Sequence, residues 1–417
     1  MKKTSLVVLM AGLLSAGVLV PAQAAEPTDP APTNVQISWK DETFQFVHVT
    51  WDEDVPRPNL VWARKPGAAA AAPLRMLAAD APNEVDLPMT SVRIAGSLLE
   101  IRVAAGTAAG ATGPAGLSPA FDTIDAGRPV IESIQPSGTS TVHVTWKKGT
   151  PELQDTTPGD PLDRDLPTSF QPSYRLPDGT GGGPIGPRTA NTSITFTGPR
   201  PPYYVRVAAR NEWGDYTSFS AAADPLAYTT SIPSWVVADR YTEIRGTFTG
   251  PYAVRVTLQA RNSATSPWYA VETDVFGDNV YSFRVASRGT RQYRIAFANS
   301  VKEPDRTAYF GGYSAPKTTT TQQLASASSP WVFRSSQPVA SRLDVAPAVT
   351  GAAALQRWNG KTWVFVTNVA IKAGVGFGKL SAATVGTVAY RYYVPAHTFN
   401  GLSVAAAYSP NFTLRVS

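Results

Sequence analysis

Hydrophobic and polar residues alternate along much of this chain. In Val47-His48-Val49-Thr50-Trp51 the apolar Val47, Val49 and Trp51 fall on one side and His48 and Thr50 on the other. A period of two is the mark of a strand with one face in a core and one in water. Tyr203, Val205, Val207 and Ala209 repeat the pattern, with Arg206 and Arg210 outward. Leu355-Gln356-Arg357-Trp358 and Lys361-Thr362-Trp363-Val364 flank Asn359-Gly360. That dipeptide suits a type I′ hairpin turn, which needs positive φ at both central residues. The glycine-rich stretch 178–184 also reads as a hairpin loop, since no Gly-Lys-Ser/Thr closes it and no helix follows. Between Glu26 and Ser417 no segment carries apolar residues at sustained helical spacing. The pattern predicts an all-β chain.

The strands repeat. Val47 to Trp51 returns letter for letter as Val142-His143-Val144-Thr145-Trp146, 95 residues on. Leu99-Glu100-Ile101-Arg102-Val103-Ala104-Ala105 is echoed by Tyr203-Tyr204-Val205-Arg206-Val207-Ala208-Ala209 at an offset of 104. A different repeat occupies the second half. Leu258-Gln259 returns as Leu355-Gln356 and Tyr293-Arg294 as Tyr390-Arg391, both at 97 residues, with Trp268 and Trp363 between them. Tyr313-Ser314-Ala315-Pro316 recurs as Tyr408-Ser409-Pro410. Four units of about 98 residues account for residues 25–417, and that is the size of one two-sheet sandwich. The predicted architecture is a tandem array of four immunoglobulin-like sandwiches.

A strand ending in Val-x-Val-Thr-Trp, followed 55 to 60 residues later by Tyr-x-Val-Arg-Val-x-Ala-x-Asn-x-x-Gly, resembles a fibronectin type III domain. Tyr203, Val205, Arg206, Val207, Ala209, Asn211 and Gly214 meet every position of the second signature, so residues 129–226 carry the match most fully. In residues 31–128 it is degraded. Leu99 stands where the corner tyrosine belongs, Thr107 replaces the Asn, and the alanine-rich stretch 67–72 intrudes. The resemblance implies that Trp51 and Trp146 fill cores and that Tyr203 makes the corner hydrogen bond of such sandwiches. Residues 228–322 and 325–417 resemble the immunoglobulin-like repeats of secreted and surface proteins of Gram-positive bacteria, which places Trp268 and Trp363 among the structural core residues. Between these two units, 318–323 and 325–329 form a Thr- and Ser-rich join of a composition that flexes.

The N-terminus reads as an export signal: Lys2 and Lys3, an apolar run from Leu6 to Val20, and Pro21-Ala22-Gln23-Ala24 as a small-residue cleavage site. The run is shorter than the roughly 18 to 20 residues of a spanning helix, and no later segment qualifies as a span. Cleavage after Ala24 removes two lysines, lowering net charge from +6 to +4 without any run of five like charges. So dilute a charge gives no argument for nucleic acid, and none is expected as a partner. The absence of Cys removes disulfides, thiolate metal sites and a cysteine nucleophile. Pro and aromatic residues are plentiful and charged residues few, as suits short strands and turns.

Little of the remaining chemistry converges. His48 and His143 are equivalent outward positions of a repeated strand, and His397 stands alone beside Pro395. No Gly-x-Ser-x-Gly elbow accompanies them. Asp160, Asp163 and Asp165, and separately Asp274 and Asp278, lack the Asp-x-Asp-x-Asp-Gly spacing of a calcium loop and read as solvated turn carboxylates. No metal, cofactor or catalytic residue is expected, and the chain reads as non-enzymatic. The expected binding surface is the loop Asn211-Glu212-Trp213-Gly214-Asp215-Tyr216, with Trp213 and Tyr216 presented between the acids Glu212 and Asp215. The expected partner is an extracellular protein or glycan, with the chain secreted or held at the cell envelope. A structural spacer without a specific ligand and a carbohydrate-binding accessory protein remain as alternatives. Exposed aromatic platforms on strands favour glycan, and purely internal aromatics favour the spacer.

Overall fold

A computed structural model describes residues 29–68, 72–94, 96–164, 166–329 and 331–417. The expected export signal 1–24 and Asp165 lie outside them. The chain forms two compact units. The first holds the residues up to Asp125 together with Pro151–Leu166 and Asn211–Gly214, and the second holds Ala126–Thr150, Pro167–Arg210 and Asp215–Ser417. Strands make up nearly all the regular structure, and the one α-helix among the described residues is a single turn, Met89–Val92.

In the first unit Thr33–Trp39, Phe46–Asp52 and Glu84–Pro88 form one antiparallel sheet. The second sheet centres on Asn59–Arg64 paired with Leu98–Thr107. The alternation works as expected on both. Val47, Val49 and Trp51 from one sheet meet Leu99, Ile101 and Val103 from the other in a single core.

The second unit holds three more sandwiches. In the second sandwich Val130–Ser137, Thr141–Lys147 and Ser193–Thr197 face Ser169–Arg175, Tyr203–Asn211 and Ala221–Pro225. Trp146 is fully buried, edge-on to Phe170 with ring centroids 5.9 Å apart. The stretch 178–184 is the expected hairpin, with Arg175 opposite Gly182. Tyr203 does not make a local corner bond. Its hydroxyl donates over 3.3 Å to the carbonyl of Ser140, 63 residues upstream, so it ties one sheet to the turn of the other. Burial there pushes the phenol up to about 12.

Ala221–Pro225 also runs parallel to Thr307–Phe310, a strand contributed from far down the chain. Ala308 and Phe310 thereby join the core of the second sandwich. In the third sandwich Tyr241–Thr249 and Val280–Ala286 face a sheet built on Val254–Arg261 and Arg291–Phe297. In the fourth, an eight-stranded sheet supplies the core around Leu355, Tyr392 and Leu414.

Two local expectations are corrected. The Thr- and Ser-rich join is not a flexible linker. Lys317–Gln322 pairs with Arg291–Phe297 and Leu324–Ser328 with Val339–Ala346, Thr319, Thr321 and Gln323 are buried, and the Gln323 side chain donates to the carbonyl of Pro395. Composition signals flexibility only where the backbone has no strand to pair with. The hairpin at Asn359-Gly360 exists, but Trp358 pairs with Trp363, which leaves a four-residue loop. Gly360 has φ +97° while Asn359 is not left-handed. Instead the Asn359 side-chain oxygen accepts the N–H groups of Lys361 and Thr362, an Asx turn in place of type I′.

All four sandwiches share one device. In each, a long central strand pairs with a final strand broken in two: Gly116–Leu117 and Phe121–Asp122, Gly214–Thr217 and Ala221–Pro225, Gly312–Tyr313 and Lys317–Gln322, Ala407–Tyr408 and Phe412–Val416. A buried serine sits at every break. Ser118, Ser218, Ser314 and Ser409 donate their N–H to the carbonyls of Ile101, Val207, Ile295 and Tyr392 at 2.7–2.9 Å. Each then accepts the N–H of the same residue on its Oγ at 2.9 Å. The hydroxyl replaces the carbonyl that an unbroken strand would present, so no buried amide is orphaned where the chain turns away. Pro119 and Pro410, which follow directly, lack the N–H that would continue the ladder. Ser409→Ala should therefore cost the fourth sandwich about 1–3 kcal/mol by leaving the Tyr392 N–H without an acceptor. Chemical denaturation together with hydrogen exchange at the Tyr392 amide checks this, with faster exchange expected at that position.

Candidate functional site

The expected binding loop divides between the two units, and its tryptophan is not presented to solvent. Trp213 is 1% exposed and belongs to the core of the first unit. Its ring meets Trp39 edge-on at 4.9 Å and stacks parallel to Phe121 at 6.2 Å. Asn211 holds it there by accepting the Trp213 N–H on its side-chain oxygen while donating to the carbonyl of Ile124. Trp39 in turn donates its indole N–H over 2.7 Å to the carbonyl of Leu162. Glu212 is buried beside it, and desolvation raises its carboxyl, with Asp163 and Asp160 adding to the effect. In the second unit Asp215 pairs with Arg188, and Tyr216 lies half-buried under the guanidinium of Arg128 at 5.1 Å. The acids flanking Trp213 made it look exposed, but the apolar partners come from elsewhere in the chain.

The carboxylates of Asp160 and Asp163 are also not freely solvated turn groups. Asp160 accepts the N–H groups of Asp122 and Leu162, and Asp163 accepts that of Gly159. Desolvation raises both carboxyls above their ordinary range. They tie down the loop that carries Leu162. Asp274 and Asp278 are exposed, and no three potential ligands converge as a metal site among the described residues. His48 lies 3.0 Å from Asp86 and His143 2.8 Å from Thr195, so the two equivalent positions have different partners. His397 is half-buried and its pKa is pushed down by desolvation.

Trp268 and Trp363 are the further correction, because neither enters a core. Each lies half-buried on the outer face of its sheet within a stack of rings and guanidinium groups. In the third sandwich Arg294 is sandwiched between Trp268 at 4.3 Å and Tyr313 at 4.0 Å, and Arg261 covers the Trp268 ring at 4.6 Å. In the fourth, Arg391 lies between Trp363 at 4.5 Å and Tyr408 at 4.0 Å, and Trp358 takes the place of the second arginine. A glutamine fixes each guanidinium. Arg294 Nε donates to Gln259 over 2.7 Å and Arg391 Nε to Gln356 over 2.8 Å. These are cation–π contacts of favourable distance. Partial burial pushes the Arg294 guanidinium down, which Tyr313 opposes.

The strand geometry places every member. Arg294 and Arg391 immediately precede the residues clamped by Ser314 and Ser409, and Tyr313 and Tyr408 immediately precede those serines. The stack therefore sits where the last strand breaks. Its outer member is open, since Tyr313 is 59% and Tyr408 52% exposed. Neither Arg294 nor Arg391 enters an ion pair among the described residues. Sequence reading found these residues only as repeats. The signal was present in the shared offset of the Leu-Gln and Tyr-Arg pairs, but period alone does not say which face of the strand they occupy.

No family model matches the chain, and no curated protein matches it. Among solved structures, the chicken CNTN1 FN1–FN3 domains align with 70% of this chain and 98% of theirs, at 13% identity and a TM-score of 0.23. A tetra-tandem repeat in the extending region of a large adhesion protein aligns with 92% of this chain and 99% of its own, at 15% identity and a TM-score of 0.24. Scores of this size add nothing to the fold, which rests on the strand registers.

Trp213→Ala should destabilise the first unit by about 3–5 kcal/mol, the cost of emptying a large buried aromatic site. The measurement is thermal or chemical denaturation of the full chain, read alongside the conservative Trp213→Phe, which should recover part of the loss.

Proposed function

We propose that the chain is exported and acts outside the cell as a non-enzymatic binding or adhesion protein, one that grips glycan through the repeated stacks of its third and fourth sandwiches. The observation that carries this reading is the duplication of one exposed surface, Tyr313 over Arg294 and Tyr408 over Arg391, at matching positions of two sandwiches. A tyrosine ring held flat by a guanidinium offers an apolar face to the C–H face of a sugar ring and a hydroxyl to its substituents. The arginine's terminal N–H groups add donors for hydroxyl or carboxylate oxygens. Two such faces on one chain suit a repeating polymer, because the second contact forms at high effective concentration. Tyr313 and Tyr408 take the binding role that the sequence reading assigned to Trp213 and Tyr216. The spacer reading remains the competitor.

Export supports this setting, and in the proposal it follows from the segment 1–24. Mass spectrometry of the secreted protein should find Ala25 at its N-terminus.

Tyr313→Ala and Tyr408→Ala should each weaken binding to polysaccharide from cell envelopes about tenfold, a loss of about 1.4 kcal/mol. The double variant should lose far more than either alone. Because both rings are exposed, the melting temperature should stay unchanged. Retention of wild-type association by the double variant would overturn the assignment to these stacks, and failure of the wild-type chain to associate at all would favour the spacer reading.

A further inference from the structure

One sheet face of the first sandwich that alternation assigns to water is apolar. In Asn59–Arg64, Val61 points into the core, so Leu60 and Trp62 belong to the outer side. They are nevertheless 1% and 9% exposed, and with Ala104 and Ala115 they form an apolar cluster separate from the sandwich core. The register explains its shape. Leu60 lies opposite Ala104 and Trp62 opposite Arg102, so the bulky Leu60 faces a small residue, with Gly106 next on the same side of that strand. Gly106 has to be glycine, because a Cβ there would sit 2.7 Å from both Leu60 Cδ1 and the carbonyl oxygen of Gly110. The outcome is a furrow of about 720 Å³ floored by Leu60 and Trp62. That volume lies in the range of roughly 300–1,000 Å³ typical of small-molecule sites.

The furrow is also charged. Arg64, Arg75 and Arg102 line it. Arg102 is paired with Glu100. Arg64 has a buried Nε without a hydrogen-bond partner, and Arg75 enters none of the ion pairs among the described residues. One carboxylate against three guanidinium groups leaves positive charge beside an apolar floor. A buried guanidinium N–H without an acceptor is a cost that an anionic oxygen relieves, and the planar fork suits carboxylate, phosphate or sulfonate geometry.

We propose that this furrow binds a small amphipathic anion, its flat apolar body between Met76, Leu74 and the edge of Trp62 and its anionic group at Arg64 and Arg75. The site goes beyond the glycan reading. It lies in a different sandwich and uses none of the stacked residues, so its test needs no envelope material and its failure leaves that reading untouched.

The full chain from Ala25 is titrated by fluorescence with 1-anilinonaphthalene-8-sulfonate and with its uncharged relative N-phenyl-1-naphthylamine. One saturable site is expected for each probe, with the sulfonate bound about tenfold or more tighter. Ala104→Leu, which adds bulk at the base of the furrow, should weaken both probes at least about tenfold while the chain remains folded at the assay temperature. The Arg64→Gln and Arg75→Gln pair, which leaves the floor intact, should erase the preference for the sulfonate while keeping the neutral probe. Should Ala104→Leu fail to fold, the arginine pair decides alone. Non-saturable binding, equal affinity for the two probes, or a sulfonate preference that survives loss of both arginines overturns the proposal.

Discussion

A backbone amide buried in a sandwich must find an acceptor, and in this chain four of them find it in a side chain. The amides of Ile101, Val207, Ile295 and Tyr392 each bond a serine hydroxyl at the place where the last strand breaks. Much follows from that substitution. The strand can leave the ladder, shift and rejoin without an unpaired N–H, and the residue before the serine is turned to the outer face. What stands there differs. The first sandwich has Leu117 and the second Thr217, whereas the third and fourth have Tyr313 and Tyr408. The residue before the clamped amide changes with it, from Glu100 in the first to Arg206, Arg294 and Arg391 in the others. One frame thus carries several surfaces, and only the last two carry rings on guanidinium groups.

How much of this was legible in the sequence depended on whether a local pattern carried the physics. Val47, Val49 and Trp51, Trp146 and Tyr203 were assigned to cores by alternation and are buried there. Trp268 and Trp363 were assigned by repetition and family likeness without an alternation argument, and they lie outside. Trp213 failed in the other direction. Its neighbours Glu212 and Asp215 are polar, but Trp39 and Phe121, the rings it packs on, are about 170 and 90 residues distant, and no window on the sequence sees them. Asn359 shows the same limit on a smaller scale, since the dipeptide marks the hairpin correctly while the side-chain acceptor selects a different turn.

Polar composition misled for a related reason. The threonines and serines of 317–328 resemble a linker, but a Thr or Ser in a strand satisfies its backbone through the ladder and needs only a small partner for its hydroxyl, as Thr321 finds in Ser287 at 2.7 Å. The furrow of the first sandwich was hidden by the converse case. Leu60, Val61 and Trp62 are three consecutive apolar residues, and such a run does not say which of its members face a groove.

The parallel pairing of Ala221–Pro225 with Thr307–Phe310 has a mechanical meaning. Because residues from beyond position 300 complete the core of the second sandwich, that core cannot close until the chain has been made through Phe310, most of the way along the third. Under tension the same bonds place the second and third sandwiches in series with a shared interior. Pulling Thr307–Phe310 away strips the second sandwich of Ala308 and Phe310, so the two sandwiches are coupled mechanically.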